Sequence, residues 1–302
     1  MRQEKISQFP GFTKIGIQHK DTVQDIFSAE NPEISQLNFV ELYAWRKTAD
    51  IKMAEIDGGI VFSFDKKGEK FLTPPAGSRN FGAATEKILV HYKETGENLY
   101  IKGFTDSMKE KLGPDAEKFV FEENRDDADY VYKVKDLADL KGRKFDGKRN
   151  HIKKFNKLYK YEFPDITPET LPEVIEFQER WCALKPCDDD LSLRDENTAV
   201  AGVLEEFFSL PVFGAAIKIN GRVEAYTFAS EMNPEMAAVI AEKANWEFKG
   251  IYQAINKMFN EKLMEKYKWV NRQQDAGGEG LRKAKMSYNP HHLIRKYKVK
   301  LK

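Results

Sequence analysis

The stretch "VFGAAIKINGRVEAYTFASEMNPEMAAVIAEKANWEFKGIYQAIN", Val212 to Asn256, decides the fold class. Two β-rich runs flank Asn220-Gly221, a pair suited to the tight turn of a hairpin. "MAAVIAEK" is apolar at successive positions and reads as a buried strand that ends abruptly in charge. "KGIYQAINKMFNEKLMEK" then spaces Ile251, Ile255, Met258 and Phe259 along one inward helix face. Hairpin, buried strand and helix are followed by a strand "WVNRQQD", a short helix "GLRKAKMSY" and a final strand "HLIRKYKVKL". The first third of the chain runs in a similar order. "IKMAEIDGG", "IVFSFDKKG" and "KFLTPPAG" are short strands, "FGAATEKILVHYKETG" is an amphipathic helix, and "NLYIKGF", "DSMKEKLG" and "KFVFEE" are strand, short helix, strand. A repeated order without evident sequence identity predicts two copies of one α/β (α+β) fold, each a mixed, mostly antiparallel sheet flanked by helices. The charged break "ENRDDADY" places the boundary between residues 1–128 and 129–302.

The length of 302 residues agrees with two domains, and 41% hydrophobic content supports two cores. No apolar run approaches the 18 residues or so that a spanning helix needs, and "MRQEKISQFPGF" has no stretch suited to a signal peptide. A cytoplasmic protein without integral membrane association is expected. In that reducing setting Cys182 and Cys187, in "CALKPC", are read as structural or incidental, and no metal site is expected. Net charge is only +1, but it is unevenly spread. Residues 141–160 carry nine Lys/Arg and one acid, and eight Lys/Arg with no acid follow Glu279. Local basic patches on a neutral protein point to phosphate or another polyanion, with solvated helix faces as the alternative for individual lysines.

Three segments, "GRKFDGKRNHIKKF", "AEKANWEFKGIYQAIN" and "NRQQDAGGEGLRKAKMSYNP", resemble the family named for the C-terminal domain of phosphatidylglycerol lysyltransferases, relatives of the Fem-type peptidyltransferases. The resemblance spans nearly the whole chain, is densest from Tyr130 to Pro290, and implies tandem GNAT-like acyltransferase domains. Two departures accompany it. The membrane domain of the true lysyltransferases is not expected in this protein, and "NWEFKGI" stands where ordinary GNAT enzymes carry the glycine-rich acetyl-CoA signature. The resemblance implies an aminoacyl-tRNA co-substrate, no tightly bound cofactor, and a small-molecule or peptide acceptor offering an amine or hydroxyl. The alternatives are an acetyl-CoA-dependent N-acetyltransferase and a non-catalytic module that binds an aminoacyl or nucleotide ligand.

The residues themselves suggest a site in the second domain, with the first a degenerate copy. Glu242 and Lys243 end the buried strand where a sheet opens to a crevice. Glu242 is expected as a base and Lys243 as a substrate-orienting group, with a structural ion pair as the alternative for both. Lys249, Gly250 and Ile251 open a helix whose free N–H groups suit an anion, while Gln253 and Asn256 are expected on its polar surface. In the basic run Lys148 and Arg149 point inward, as donor-phosphate contacts or as members of internal ion pairs. Asn271 and Asp275 reach one end of the sheet, as substrate-orienting group and alternative base. Gly277 and Gly278 then leave amides exposed as an anion nest, with Arg282 and Lys285 as cations beyond. Tyr288 extends that line, and the resemblance gives it the role of the acid that protonates the leaving oxygen. "DDDLSLRDE" is a solvated loop or an acidic lid.

Overall fold

The computed structural model describes residues 5–97, 99–184 and 191–302, so Cys187 and Asp188–Asp190 of the acidic stretch lie outside the described residues. The chain forms two compact units. The first comprises Met1–Asp129, Gln274–Gly278 and Leu293–Lys302, and the second Tyr130–Gln273 and Glu279–His292.

The first unit runs β1 (Thr13–Lys14), α1 (Lys20–Glu30), α2 (Phe39–Trp45), β2 (Lys52–Ile56), β3 (Gly59–Lys66), β4 (Glu69–Leu72), α3 (Phe81–Glu94), β5 (Ile101–Phe104), α4 (Asp106–Leu112) and β6 (Phe119–Glu123). The second runs β7 (Asp129–Lys133), α5 (Val134–Asp139), α6 (Asp146–Leu158), β8 (Tyr161–Glu162), α7 (Leu171–Leu184), α8 (Leu191–Leu204), β9 (Val212–Ile219), β10 (Arg222–Asn233), β11 (Met236–Ala244), α9 (Ile251–Leu263), β12 (Trp269–Asn271) and α10 (Glu279–Met286). The segment read as one final strand is two, β13 (His292–Ile294) and β14 (Tyr297–Leu301).

Each sheet has seven strands, in the orders β1-β2-β3-β4-β5-β14-β6 and β13-β7-β12-β11-β10-β9-β8. Both contain an antiparallel run, then one parallel step, and beyond it β5–β14 and β14–β6 pair antiparallel in the first sheet and β12–β7 in the second. The parallel step is β4 to β5 in the first unit and β11 to β12 in the second. A cut at residue 128 therefore misses an exchange: β14, last in the chain, pairs with β5 and β6 in the first sheet. β7, which follows β6 in sequence, occupies the equivalent place beside β12 in the second.

The physical reason is visible in the apolar positions. Tyr297 and Val299 join Ile101, Phe104 and Phe119 in the first core, and Tyr130 and Tyr132 are buried in the second. β7 is also shorter than "DYVYKVKDL" suggests, because Val134 begins α5. In the second unit, α6 and α9 share a core with the hairpin through Phe155, Ile217, Ile219, Ala225, Ile251 and Ile255.

Lys296 breaks the final segment. It is 1% exposed, and its Nζ lies 2.6 Å from Asp129 Oδ1 and 2.5 Å from Gln36 Oε1. Asp129 also accepts from Ser35 N at 2.7 Å and from Ser35 Oγ at 3.1 Å. Removing one member of such a buried pair strands the other charge. Lys296→Met should lower unfolding free energy by about 3–5 kcal/mol in urea. Adding Asp129→Asn should recover part of that loss, because no carboxylate is then left unpaired. Equal stability of Lys296→Met and the parent would contradict this.

Candidate active site

The second sheet opens where its parallel step ends. β11 and β12 pair through Met236–Trp269, Ala237–Val270 and Ala238–Asn271, and then part. β11 continues to Ala244 while the other chain turns away at Arg272 and Gln273. Side chains, rather than further backbone pairs, close the gap. Gln273 Nε2 donates to the Val239 carbonyl at 3.0 Å, and Arg272 Nη2 donates to Glu242 Oε1 at 2.9 Å. The second oxygen of Glu242 accepts from Asn256 Nδ2 of α9 at 3.1 Å.

The turn that presents Arg272 is held from several directions. Gln273 adopts a left-handed backbone, φ +58°, which costs a residue with a side chain about 1–2 kcal/mol. Asn271 Oδ1 accepts from Gln273 N at 2.7 Å and caps the turn. Lys285 Nζ donates to the carbonyls of Arg272, at 2.6 Å, and Gln273, at 3.1 Å. Asn271 and Lys285, expected to orient substrate and bind phosphate, thus meet the backbone of this turn.

Tyr288 packs beside the pair. It is 7% exposed, with the Arg272 guanidinium carbon 5.2 Å from its ring centroid and Lys148 Nζ 3.9 Å from it. Arg272 also lies 5.9 Å from the ring of Tyr132, whose hydroxyl donates to the Lys285 carbonyl at 2.9 Å. Burial raises the Tyr288 phenol well above its ordinary range, against the opposing pull of Arg272. Burial works against the Arg272 charge, and Glu242 together with Tyr132 and Tyr288 more than offsets it, so the guanidinium is held more firmly protonated than usual. Lys148 is displaced the other way: burial first, then Arg272, lower its pKa. Its Nζ donates to Ser287 Oγ at 2.6 Å. Among the described residues no carboxylate forms an ion pair with it, so two cations and one carboxylate surround Tyr288.

The other expected residues fall elsewhere. Arg149 is engaged by the carbonyls of Leu140 and Gly142, the latter at 2.9 Å, and by Asp146. Lys243 pairs with Glu196 at 2.7 Å and lies over the Trp181 ring. Asp275, Gly277 and Gly278 belong to the first unit, whereas Glu242 and Tyr288 belong to the second. Asp275 faces Arg125 at 3.5 Å. The exposed nest expected at the glycines is not formed, because Gly277 N donates to Asp275 Oδ1 and Gly278 N to the Asp275 carbonyl. Arg282 is half-buried on α10.

At the start of α9, Lys249 N donates to the Tyr159 hydroxyl at 3.3 Å and Ile251 N to the Phe248 carbonyl at 3.1 Å. Gly250 has φ +94°, and a Cβ there would fall 2.4 Å from the His151 carbonyl, so glycine is required by the close approach of α6. This helix start borders a cleft of about 290 Å³ lined by His151, Lys154, Trp246 and Lys249.

Sequence reading did not single out Arg272, Tyr132 or Ser287, and it placed Asn256 on the surface, where the structure buries it at 1% exposure. A signal was available for Arg272. It is a cation two residues past the fully buried Val270, at the end of an interior strand. Asn256 lies on the Glu242 side of α9, and its amide nitrogen donates to a carboxylate that only the fold brings near.

The two mixed sheets with their flanking helices form a tandem GNAT-like fold. The sequence matches the family model described as phosphatidylglycerol lysyltransferase, C-terminal, over residues 29–300, and the chain belongs to that family. A protein from Bacteroides thetaiotaomicron VPI-5482, described as a conserved protein of unknown function, is 34% identical, with a TM-score of 0.88 over 96% of this chain and 99% of that one. L-PGS from Bacillus licheniformis shares 13% identity with a TM-score of 0.63, over 99% of this chain and 94% of that one. FemX shares 10% identity with a TM-score of 0.57, over 95% and 96%. At such identities the last two likenesses concern the fold. No curated protein matches the sequence. Among the described residues no helix is long and apolar enough to cross a membrane.

The position of Lys148 yields a direct test. Only the neutral amine is acylated by acetic anhydride, so a lowered pKa shifts reactivity to lower pH. In competitive labelling read by mass spectrometry, Lys148 should reach half-maximal reactivity at a lower pH than exposed Lys153. Arg272→Met should move that midpoint upward. Coincident profiles for the two lysines would show that Lys148 is not perturbed.

Proposed function

We propose that the protein is an acyltransferase that passes the aminoacyl group of an aminoacyl-tRNA to an amine or hydroxyl acceptor. Membership of the lysyltransferase family and a fold shared with FemX support this class of reaction. The observation that carries it is the side-chain cluster where β11 and β12 part. Arg272, a fixed cation paired with the carboxylate of Glu242, and the Lys148 amine, whose proton burial and Arg272 loosen, both lie against a phenol that burial keeps protonated.

Acyl transfer develops negative charge on the carbonyl oxygen and then on the leaving ribose oxygen. Fixed cations offset that charge without reorganising, and most strongly where water is scarce. Tyr288 supplies the proton to the leaving oxygen. Its raised pKa suits an acid that stays protonated until a strongly basic alkoxide forms. Glu242 was expected to be a base, but both of its oxygens are engaged, by Arg272 and Asn256. In this reading it holds Arg272 in place.

The basic run of α6 takes tRNA phosphates. An acetyl-CoA donor is disfavoured at the start of α9, where the Ile251 N–H is already bonded and a single glycine is committed to the packing of α6.

The test uses radiolabelled aminoacyl-tRNA with hydroxylamine as a surrogate amine, following aminoacyl hydroxamate formed above the protein-free rate. Tyr288→Phe should lower that rate by about 10²–10⁴-fold. Its affinity for the charged tRNA should stay within about twofold of the parent, since the hydroxyl is asked to act only in the transition state. Affinity should fall by at least about tenfold between 50 and 200 mM salt, as phosphate contacts require. No hydroxamate above background with any charged tRNA, or binding indifferent to salt, would contradict the proposal.

A further inference from the structure

Ser287 follows α10 directly and is exposed, so a bulky ester can approach its hydroxyl. Lys148, in the first turn of α6, brings its Nζ to 2.6 Å from that oxygen. The serine hydroxyl itself donates to the Ala284 carbonyl at 2.6 Å. A hydroxyl bonding back three residues is an ordinary way to end a helix, and by itself it indicates nothing about reactivity. The amine is what sets this serine apart. Lys148 has no carboxylate partner among the described residues, sits half-buried, and is kept close by the Tyr288 ring at 3.9 Å. Burial and the nearby Arg272 both favour its neutral form. When charged, Lys148 donates to Ser287. When neutral, the same short line carries the serine proton toward the amine. A hydroxyl and an amine within hydrogen-bond reach, with the amine half-buried and beside a second cation, is an arrangement that activates a nucleophile.

We propose that Ser287 is an acyl-accepting nucleophile with Lys148 as its base, so that the transferred group rests as an ester on Ser287 between donor and acceptor. The inference rests on the acyl-transfer reading above and adds a covalent stage to it. In the first half, Lys148 takes the hydroxyl proton as Ser287 Oγ bonds to the carbonyl carbon. The bond from that carbon to the ribose oxygen breaks, the leaving oxygen takes the Tyr288 proton, and Lys148 returns a proton to the phenolate. In the second half, the acceptor amine attacks the seryl ester. Its surplus proton passes to Lys148 and from there to the departing Ser287 oxygen. One ester replaces another in the first half, so that stage is near balance, and amide formation draws the second forward. Arg272, against the same ring, supplies positive charge to the oxyanion of both halves.

The full chain incubated with p-nitrophenyl acetate tests this without any tRNA. The expected result is a burst of p-nitrophenolate equivalent to the protein present, with one acetyl group on the peptide carrying Ser287. The burst rate should rise with pH through a midpoint below that of an ordinary lysine. Lys148→Met should slow it by about 100-fold. Ser287→Ala should abolish it while circular dichroism shows the fold unchanged. A parent without a burst, an acetyl group found on Lys148 instead, or a Ser287→Ala burst equal to the parent's would overturn the proposal. The two readings fail separately. An acylated Ser287 in a protein that discharges no aminoacyl-tRNA defeats the transfer reading alone. Full-rate hydroxamate formation by Ser287→Ala defeats the nucleophile alone.

Discussion

The ion pair between Glu242 and Arg272 is the contact on which the candidate site depends. Two parallel strands diverge there, and the pair spans the gap with side chains 11% and 13% exposed. Neither charge is tolerable alone at such burial, so each fixes the other. Asn256 holds the free oxygen of Glu242, and Asn271, Gln273 and Lys285 hold the backbone that carries Arg272. With Arg272 fixed, its charge lies beside Tyr288 and contributes to the lowered pKa of Lys148. The chemical character of the site follows from that placement.

Much of the fold was legible because it rests on local signals. Asn220-Gly221 marks the β9–β10 hairpin, the unbroken apolar run marks β11, and the spacing of Ile251, Ile255 and Phe259 marks α9. The exchange of strands was not legible. β14 and β7 look like neighbours of the segments beside them in sequence, and only the pairing of β14 with β5 and β6 reveals where it belongs. Nothing within a strand's own residues specifies a partner so remote in the chain.

The site was legible in part, and for a related reason. Glu242 drew attention as a charge ending a buried strand, and Lys148 as a cation on the apolar side of a basic helix. Both meet Tyr288 or Arg272. The glycines of residues 277–280 misled, because flexible backbone is equally suited to a nest and to a turn. The structure makes a turn whose amides are satisfied by Asp275. Lys285 misled in the same way. A buried cation needs acceptors, and two backbone carbonyls serve it as well as a phosphate does. Residue type and spacing show that a partner is needed, but the identity of the partner depends on packing.

The most direct test of this account is a double-mutant cycle on Glu242 and Arg272, read as the rate of aminoacyl transfer from charged tRNA to hydroxylamine. If the two residues act as one device, Glu242→Gln and Arg272→Met should each remove most of the activity. The double variant should then be scarcely slower than either single one. Losses that multiply in the double variant would mean that the residues act independently, and the ion pair would not be the organising contact of the site.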